Sequence, residues 1–417
     1  MSFAYLYERF PSFVQTFVYR EAVEMVRQGM APLLVSIRRP DDPPEVAAQL
    51  SAEVLYLPES EVLRASIEIP GRVRRRLAEK DRARDLNRIY EALWLGPRLR
   101  ERGIRHVHAH FGGVAARTAW WLRELAGVSY SFTGHANDIF CETDFPVSNA
   151  QLVREARFIV TETDFARAWM AEKYPSAARK VFRVFNGIDD DFPPRQPAGA
   201  VPLILSVGRS VEKKGFRYLI EACAQLRAQG LAFECRIVGG GPLEAELQAQ
   251  IDRAELGESV KLLGPRSQTE VRALLASAQI FALACVPDAE GGSDNLPTVI
   301  MEAMRGGVPV VSTHLAGVPE MIADGVEGFL VAPGDARALA ERIAVLLRDP
   351  AMAGQCGARG RESAREKFAI EKTTCALKHL LVAHSPVDPP GSALHLDSTL
   401  RRGSIWQRMR RAFLSSR

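Results

Sequence analysis

The sequence is short of several features that would narrow its class at once. Its six cysteines, Cys141, Cys223, Cys235, Cys285, Cys356 and Cys375, include no C-x-x-C pair. That argues against a zinc site and a disulfide framework, and it fits a reducing compartment. No apolar run approaches the roughly 18 residues that cross a bilayer. The N-terminal stretch "MSFAYLYERFPSF" lacks a cationic segment followed by an apolar core, so a signal peptide is not expected. The formal charge of +4 over 417 residues is too small to imply a general nucleic-acid role. There is no G-x-x-x-x-G-K-[ST] loop and no Asp-x-Asp metal motif in a supporting context.

What is present is alternation. Short apolar runs at 31–37, 107–111, 128–134, 157–163, 201–208, 233–240, 259–264, 279–286 and 308–313 read as strands, with helix-period segments between them. Most runs are apolar on both faces, as in a parallel sheet covered on both sides. The expected fold class is therefore α/β, with doubly wound parallel sheets. Leu86, Ile89, Tyr90, Leu93 and Trp94 mark one helix face. The composition breaks at "DDDFPPRQPAGAVP" (189–202), which reads as a linker. The expected organisation is an N-terminal domain (1–190), a linker (191–202), a C-terminal domain (203–368), a further helix (369–385) and a Pro/Ser-rich tether with a basic tail (386–417).

Three segments carry residues suited to chemistry. In "SVGRSVEKKGFRYLIEA" (206–222), a strand ends near Val207 and a basic loop with Arg209, Lys213 and Lys214 precedes Gly215 and a helix near Phe216. Cations beside a helix N-terminus suit a diphosphate; a merely solvated basic loop is the alternative. "IVGGGPLEAELQ" (237–248) places Gly239, Gly240 and Gly241 at a strand-to-helix turn, but Glu244 stands where a dinucleotide fingerprint needs a third glycine. It reads as a tight turn bordering a nucleotide pocket. In "GGSDNLPTVIMEAMRGG" (291–307), Gly291, Gly292 and Ser293 let the backbone approach a ligand. Amides around Asn295 and Leu296 would sit at the positive end of a helix dipole. Asp294 is either a ligand contact or an N-cap. Glu302 lies among Val299, Ile300, Met301, Ala303 and Met304, and a buried carboxylate without a partner is costly. Paired ligand hydroxyls would supply its hydrogen bonds.

With "VGR…EKKG", "VGGGP", "DNLPT…EAM…GVPVVST", "GVPEMI" and "NGID" (186–189) in this order, the chain resembles the family-4 retaining glycosyltransferases over roughly residues 1–385. The segments "ERFPSFVQTFVYREAVEMVRQG", "HVHAHFGG" and "FTGHANDIF" resemble the exopolysaccharide and colanic-acid type. The resemblance implies the GT-B fold, two Rossmann-like domains facing across a cleft. It implies that Arg209 and Lys214 hold the donor diphosphate and stabilise the departing nucleoside diphosphate. Glu302, second acid of the family's Glu-seven-Glu motif, would bond the ribose. The first acid, which faces the donor sugar, is here Asp294, one methylene shorter. Gly240, Gly292, Ser293, Asn295 and Leu296 would complete the donor side. His135 matches the family's N-terminal-domain histidine, a catalytic candidate with Asp138 beside it. His110 and Thr16 are further acceptor-side candidates, Thr16 as a possible helix cap, whereas His106 and His108 are expected to serve the strand. The implied reaction needs no metal or other cofactor; the partners are a nucleotide sugar and a glycan or polyprenyl-linked acceptor, with no nucleic acid. A GT-B-fold nucleotide-sugar epimerase, or a non-catalytic sugar-nucleotide-binding subunit, is the alternative.

Two basic stretches stand apart. Residues 71–88 hold eight basic residues against three acids, and 401–417 hold six arginines and no acid. In a helix from Ser404, the residues Ile405, Trp406, Met409, Ala412 and Phe413 would fall on one side and Arg408 and Arg411 opposite. That is an interfacial pattern. The expectation is a cytoplasmic protein held peripherally at an anionic inner leaflet.

Overall fold

The structure, a computed structural model, describes all residues except 1, 13–14, 41–51, 72, 75–81, 142–143, 198, 290 and 385–417. The basic tail, the tether and the centre of the 71–88 run therefore lie outside the described residues.

The chain forms two compact units. One comprises Met1–Thr161, Met170–Phe182 and the described residues from Cys375 on; the other comprises Glu162–Trp169 and Arg183–Thr374. Each is built on one sheet. The first holds β1 (Ala4–Arg9), β2 (Leu33–Arg38), β3 (Val54–Tyr56), β4 (His106–His110), β5 (Ser129–Gly134), β6 (Ile159–Thr161) and β7 (Val181–Arg183), in the order β3-β2-β1-β4-β5-β6-β7. The second holds β8 (Leu203–Val207), β9 (Glu234–Val238), β10 (Val260–Gly264), β11 (Ile280–Leu283), β12 (Val310–Thr313) and β13 (Gly328–Val331), in the order β10-β9-β8-β11-β12-β13. Strands β3 to β6 of the first sheet, and all of the second, pair in parallel. In both sheets the order reverses once, between β1 and β4 and between β8 and β11. In open parallel sheets, ligands bind outside the strand carboxyl ends at such a switch point.

All nine runs read as strands form strands. β1, β3, β7 and β13 are additional. Three of these have only three or four residues, and β1 carries Tyr5 and Tyr7 rather than a uniformly aliphatic run. The helices follow their apolar period: in Phe216–Ala228 the residues Phe216, Leu219, Ile220, Cys223 and Leu226 are buried. The helix Leu86–Glu101 differs from expectation. Its buried face includes Arg88 and Glu91 together with Ile89, Ala92, Trp94, Leu95 and Leu99. Arg88 pairs with Glu91, which also accepts from the Thr118 hydroxyl at 2.6 Å. Arg88 is therefore not part of a solvated basic face: a neighbouring helix supplies polar partners that let two charges enter the packed layer.

Residues 189–196, read as linker, are tied to the helix Gln268–Ser277. Arg272 pairs with Asp189 at 2.7 Å and Asp191 at 2.9 Å, and the Gln196 amide donates to the Ala276 carbonyl. No helix among the described residues is long and apolar enough to cross a membrane.

Candidate active site

The second sheet gathers the charged residues at its switch point. Beyond β8 the chain runs through Gly208, Arg209 and Ser210 into a 3-10 turn, Glu212–Lys214. Gly215 then adopts φ +63° and starts the helix Phe216–Ala228. A Cβ at Gly215 would collide with the Ala284 carbonyl, so only glycine lets this loop rest on the end of β11. The Val286 amide donates to the Lys213 carbonyl at 3.1 Å and fixes the same contact. The loop after β9 locks against this one. Gly208 and Ser210 donate to the carbonyls of Val238 and Gly240, both at 2.9 Å, and Leu243 donates back to Ser210 at 3.1 Å.

Gly239 has φ +126°, and a Cβ there would collide with the Gly208 carbonyl. Gly239→Ala is accordingly expected to cost about 1–3 kcal/mol through backbone strain alone. A urea titration checks this, and an unchanged midpoint would show that the two loops are not in fixed contact.

Lys213 and Lys214 converge on Asp294. Lys213 Nζ lies 3.1 Å from Asp294 Oδ1, and Lys214 pairs with Oδ2. Cys285 Sγ is 3.8 Å from the same Oδ2. The three charged side chains are each only 13% exposed. Burial pushes the Asp294 carboxyl up, but the two lysines outweigh it and hold it below its ordinary value. Burial likewise opposes the charged form of Lys214, and Asp294 outweighs it, leaving the amine raised. The Cys285 thiol is pushed up to about 12, first by burial and then by Asp294, so it stays protonated. Two ammonium groups and one carboxylate leave one net positive charge in a largely water-excluded corner, the charge balance of an anion site.

Asp294 is not an N-cap. The following helix is Thr298–Arg305, with Pro297 in the cap position. The loop before it is a closed turn: Gly292 donates to Asp288 Oδ1 at 2.6 Å, and Asp288 donates back to the Gly292 carbonyl at 2.8 Å. Gly291 takes φ +80° within that turn, and Ser293 follows it, half-buried. Asn295 and Leu296 anchor the far side. The Thr163 hydroxyl donates to Asn295 Oδ1 at 2.7 Å, and Leu296 joins the hydrophobic core.

Glu302 is buried in the second turn of its helix. It has a polar interaction within the protein, so its burial does not by itself demand a ligand. Arg209 is exposed, and its carbonyl accepts from the Val211 amide at 2.8 Å. Gly240 packs close to Pro265. Lys213, noted in the sequence only as part of a basic loop, proves an equal partner of Lys214. Adjacent lysines ordinarily diverge; the 3-10 turn, which no local sequence signal marks, aims both at one acid.

The first sheet builds a polar ladder at β4 and β5. His106, His108 and His110 alternate along β4 and pair in register with Ser129, Ser131 and Thr133 of β5. His106 bridges the Ser129 and Ser131 hydroxyls at 2.9 and 2.8 Å, and His108 bridges those of Ser131 and Thr133 at 2.8 and 2.9 Å. These two histidines serve the strands, as expected. His110 turns to other partners: Glu21 Oε1 at 3.1 Å from Nε2 and His135 Nε2 at 3.3 Å from Nδ1. Asp138 fixes the surrounding backbone, accepting from the amides of Gly112 (2.7 Å), His135 (3.0 Å) and Ala136 (2.8 Å). Phe111, at φ +69°, lays its ring 4.2 Å from that of His135, and Phe17 lies 4.9 Å away on the other contact.

Thr16 is the first residue of the helix Thr16–Arg27, whose N-cap is Gln15 with no side-chain cap bond. The expected Thr16 cap is therefore absent. Glu21 of this helix, unmarked in the sequence, meets His110, and Phe17 of the same helix meets the His135 ring. The sequence signal for Glu21 is weak, since it is one of two acids on an amphipathic helix. Glu21, His110 and His135 gather at the β1/β4 switch point.

Two parallel α/β units of this topology define the GT-B class of glycosyltransferase fold. Residues 188–363 match the family model of the glycosyl transferases, group 1. WcaL of Escherichia coli K12, assigned to colanic acid biosynthesis as a glycosyltransferase, is 38% identical over 244 residues, covering 57% of this chain and 60% of WcaL. AmsK of Erwinia amylovora, an amylovoran biosynthesis glycosyltransferase, is 46% identical over 145 residues, 35% of either chain. The alignments thus span about three-fifths or less of these relatives' length. Among solved structures, a glycosyltransferase from Rickettsia africae superposes with a TM-score of 0.70 at 16% identity, covering 93% of this chain and all of that one. HepE from Anabaena, in complex with UDP, gives a TM-score of 0.70 at 18% identity, covering 92% of this chain and 100% of its own.

Proposed function

We propose that this chain is a retaining, metal-independent glycosyltransferase. It moves a sugar from a nucleotide-diphosphate sugar to a hydroxyl of a lipid-linked glycan acceptor in the synthesis of a bacterial surface polysaccharide. The observation that carries the reading is the cluster of Lys213, Lys214 and Asp294 at the β8/β11 switch point, within the stretch matched by the group 1 family. The colanic-acid and amylovoran relatives support the polysaccharide setting.

In this reading the donor diphosphate displaces Asp294 from the lysines. Lys214 and Arg209 stabilise the negative charge that builds on the departing nucleoside diphosphate, a preorganised electrostatic contribution to the barrier. Glu302 holds the ribose hydroxyls, and the freed Asp294 takes those of the donor sugar. A donor phosphate oxygen assists deprotonation of the acceptor hydroxyl on the face the leaving group vacates, which gives retention. His135 contacts the reacting sugars. The ammonium groups supply the charge neutralisation, so the reading invokes no metal.

The test is a binding and turnover panel of UDP-, GDP- and ADP-sugars. One donor is expected to bind and transfer with retained anomeric configuration, and Glu302→Ala is expected to weaken that donor by roughly 10- to 100-fold. Binding of no nucleotide sugar by the wild-type chain would reject the proposal. Attachment to an anionic membrane through 401–417 belongs to the same reading, on sequence pattern. Deleting 398–417 is expected to abolish sedimentation with phosphatidylglycerol vesicles; undiminished sedimentation would remove the tail from the scheme.

A further inference from the structure

The helix that starts shortly after Asp294 ends in a second concentration of positive charge. It runs from Thr298 to Arg305, so its last residue lies about 10 Å along the axis, toward the edge of the sheet where β12 begins. The Arg305 side chain is only 5% exposed, and its Nη2 pairs with Asp190 Oδ1. Its Nε and Nη1 are buried and have no hydrogen-bond partner. Asp190 is 65% exposed, and its Oδ2 lies 3.8 Å from Arg365 Nη2. Arg361, one turn before Arg365 on the helix Pro350–Lys367, donates to the Gly306 carbonyl at 2.9 Å. All of these residues belong to one unit of the chain.

A helix C-terminus attracts cations, and that accounts for Arg361. It does not account for Arg305. A buried donor left without an acceptor costs about 1–3 kcal/mol, and native structures leave few of them. Three guanidinium groups gather around a single carboxylate, which leaves two net positive charges. Burial pushes the Arg305 guanidinium down; Asp190 opposes it, and Arg365 and Arg361 add to it. Asp190 engages one of the three guanidinium nitrogens. A tetrahedral oxyanion in its place would span Nη2 and one of the orphan nitrogens, the paired geometry that guanidinium groups form with phosphate. A phosphoryl dianion also brings one more charge than the carboxylate it replaces. Asp190 lies outside any helix or strand, and Arg272 holds its neighbours Asp189 and Asp191. Its side chain can therefore turn away without releasing the chain.

We propose that Arg305, Arg361 and Arg365 form a second anion site, which takes a phosphoryl group in place of the resident carboxylate of Asp190. No part of this depends on the chemistry assigned to the lysine cluster.

The experiment is isothermal titration calorimetry of the full chain with inorganic phosphate at constant ionic strength. Arg305→Gln is expected to weaken phosphate binding at this site by roughly 10- to 100-fold, the scale of losing a charged hydrogen-bonding partner. Asp190→Asn removes the competing carboxylate and is expected to tighten it by about two- to fivefold, the scale of an exposed ion pair. Asp190 is exposed, so this opposite shift can be read even if Arg305→Gln fails to fold. The lysine cluster could also take phosphate, and Lys214→Ala separates the two: the gain from Asp190→Asn should persist in that background. A purely structural ion pair would leave phosphate affinity unmoved in Arg305→Gln and Asp190→Asn alike, and that result overturns the site. So does phosphate binding that vanishes altogether in Lys214→Ala. Repeating the titration with phosphatidic-acid vesicles, and with phosphatidylglycerol vesicles as the control, identifies the source of the phosphoryl group. Competition by phosphatidic acid alone points to a lipid headgroup, and its absence to a free phosphorylated compound.

Discussion

Lys214→Ala is expected to lower sugar transfer by roughly 100- to 1000-fold, the scale of losing one preorganised donor to a developing negative charge. The loss should fall on kcat more than on donor KM, because leaving-group charge is greatest in the transition state. Lys213 remains 3.1 Å from Asp294 in the variant, so the acid keeps a partner. The lost charged hydrogen bond should still cost about 1.5–3 kcal/mol of stability. A second variant separates the two effects. Lys214→Ala combined with Asp294→Ala removes the under-compensated acid and should recover part of the stability while transfer stays low. Steady-state kinetics and urea titrations on wild type and both variants are the measurement. Near-wild-type kcat in Lys214→Ala would sink the assignment of this cluster to the leaving group.

Acidification should destabilise the unit built on the first sheet well before carboxylates titrate. His106 is depressed to about 3, by burial first and then by Arg157 and His384. His108 is held well below its ordinary value, again by burial first and then by His110. Unfolded histidines titrate near pH 6.5. Below that pH the unfolded chain binds protons that the folded chain refuses. The stability is present in full above about pH 6.5 and declines as pH falls, for His106 until it nears its folded pKa. Each histidine costs roughly 1.4 kcal/mol per pH unit. Lowering the pH from 7.5 to 5.5 should therefore remove roughly 3 kcal/mol, a large part of a typical domain's 5–15 kcal/mol. Urea unfolding followed by the fluorescence of Trp94, Trp120 and Trp121 checks this. In His106→Gln, which keeps a donor and an acceptor between the two serine hydroxyls, the pH slope should shrink by about one proton. Equal midpoints at the two pH values would mean that the ladder is not closed as described.

Much of the second unit was legible in the sequence. The β8, β9 and β12 runs are short and border a glycine, and the short apolar β11 run stops at Pro287, so period and punctuation sufficed. The loop glycines were legible for the same reason, since Gly215 and Gly239 each stand where a side chain would meet a carbonyl. The first unit was harder to read. Its β1 carries two tyrosines in six residues, β3 and β7 are three residues long, and the helix Leu86–Glu101 buries an ion pair that no hydrophobic pattern marks.

By itself the sequence determined the α/β class, the strand-end positions of the glycine and lysine loop, and the paired acids of 291–307. These depend on local period and backbone freedom, which neighbouring residues carry. Only the tertiary structure decided which acid meets which cation. Asp294 lies 80 residues from Lys214, and Glu21 lies 89 from His110. Partnerships over such distances are set by strand order and by where each sheet reverses, and neither is encoded in the residues that finally touch.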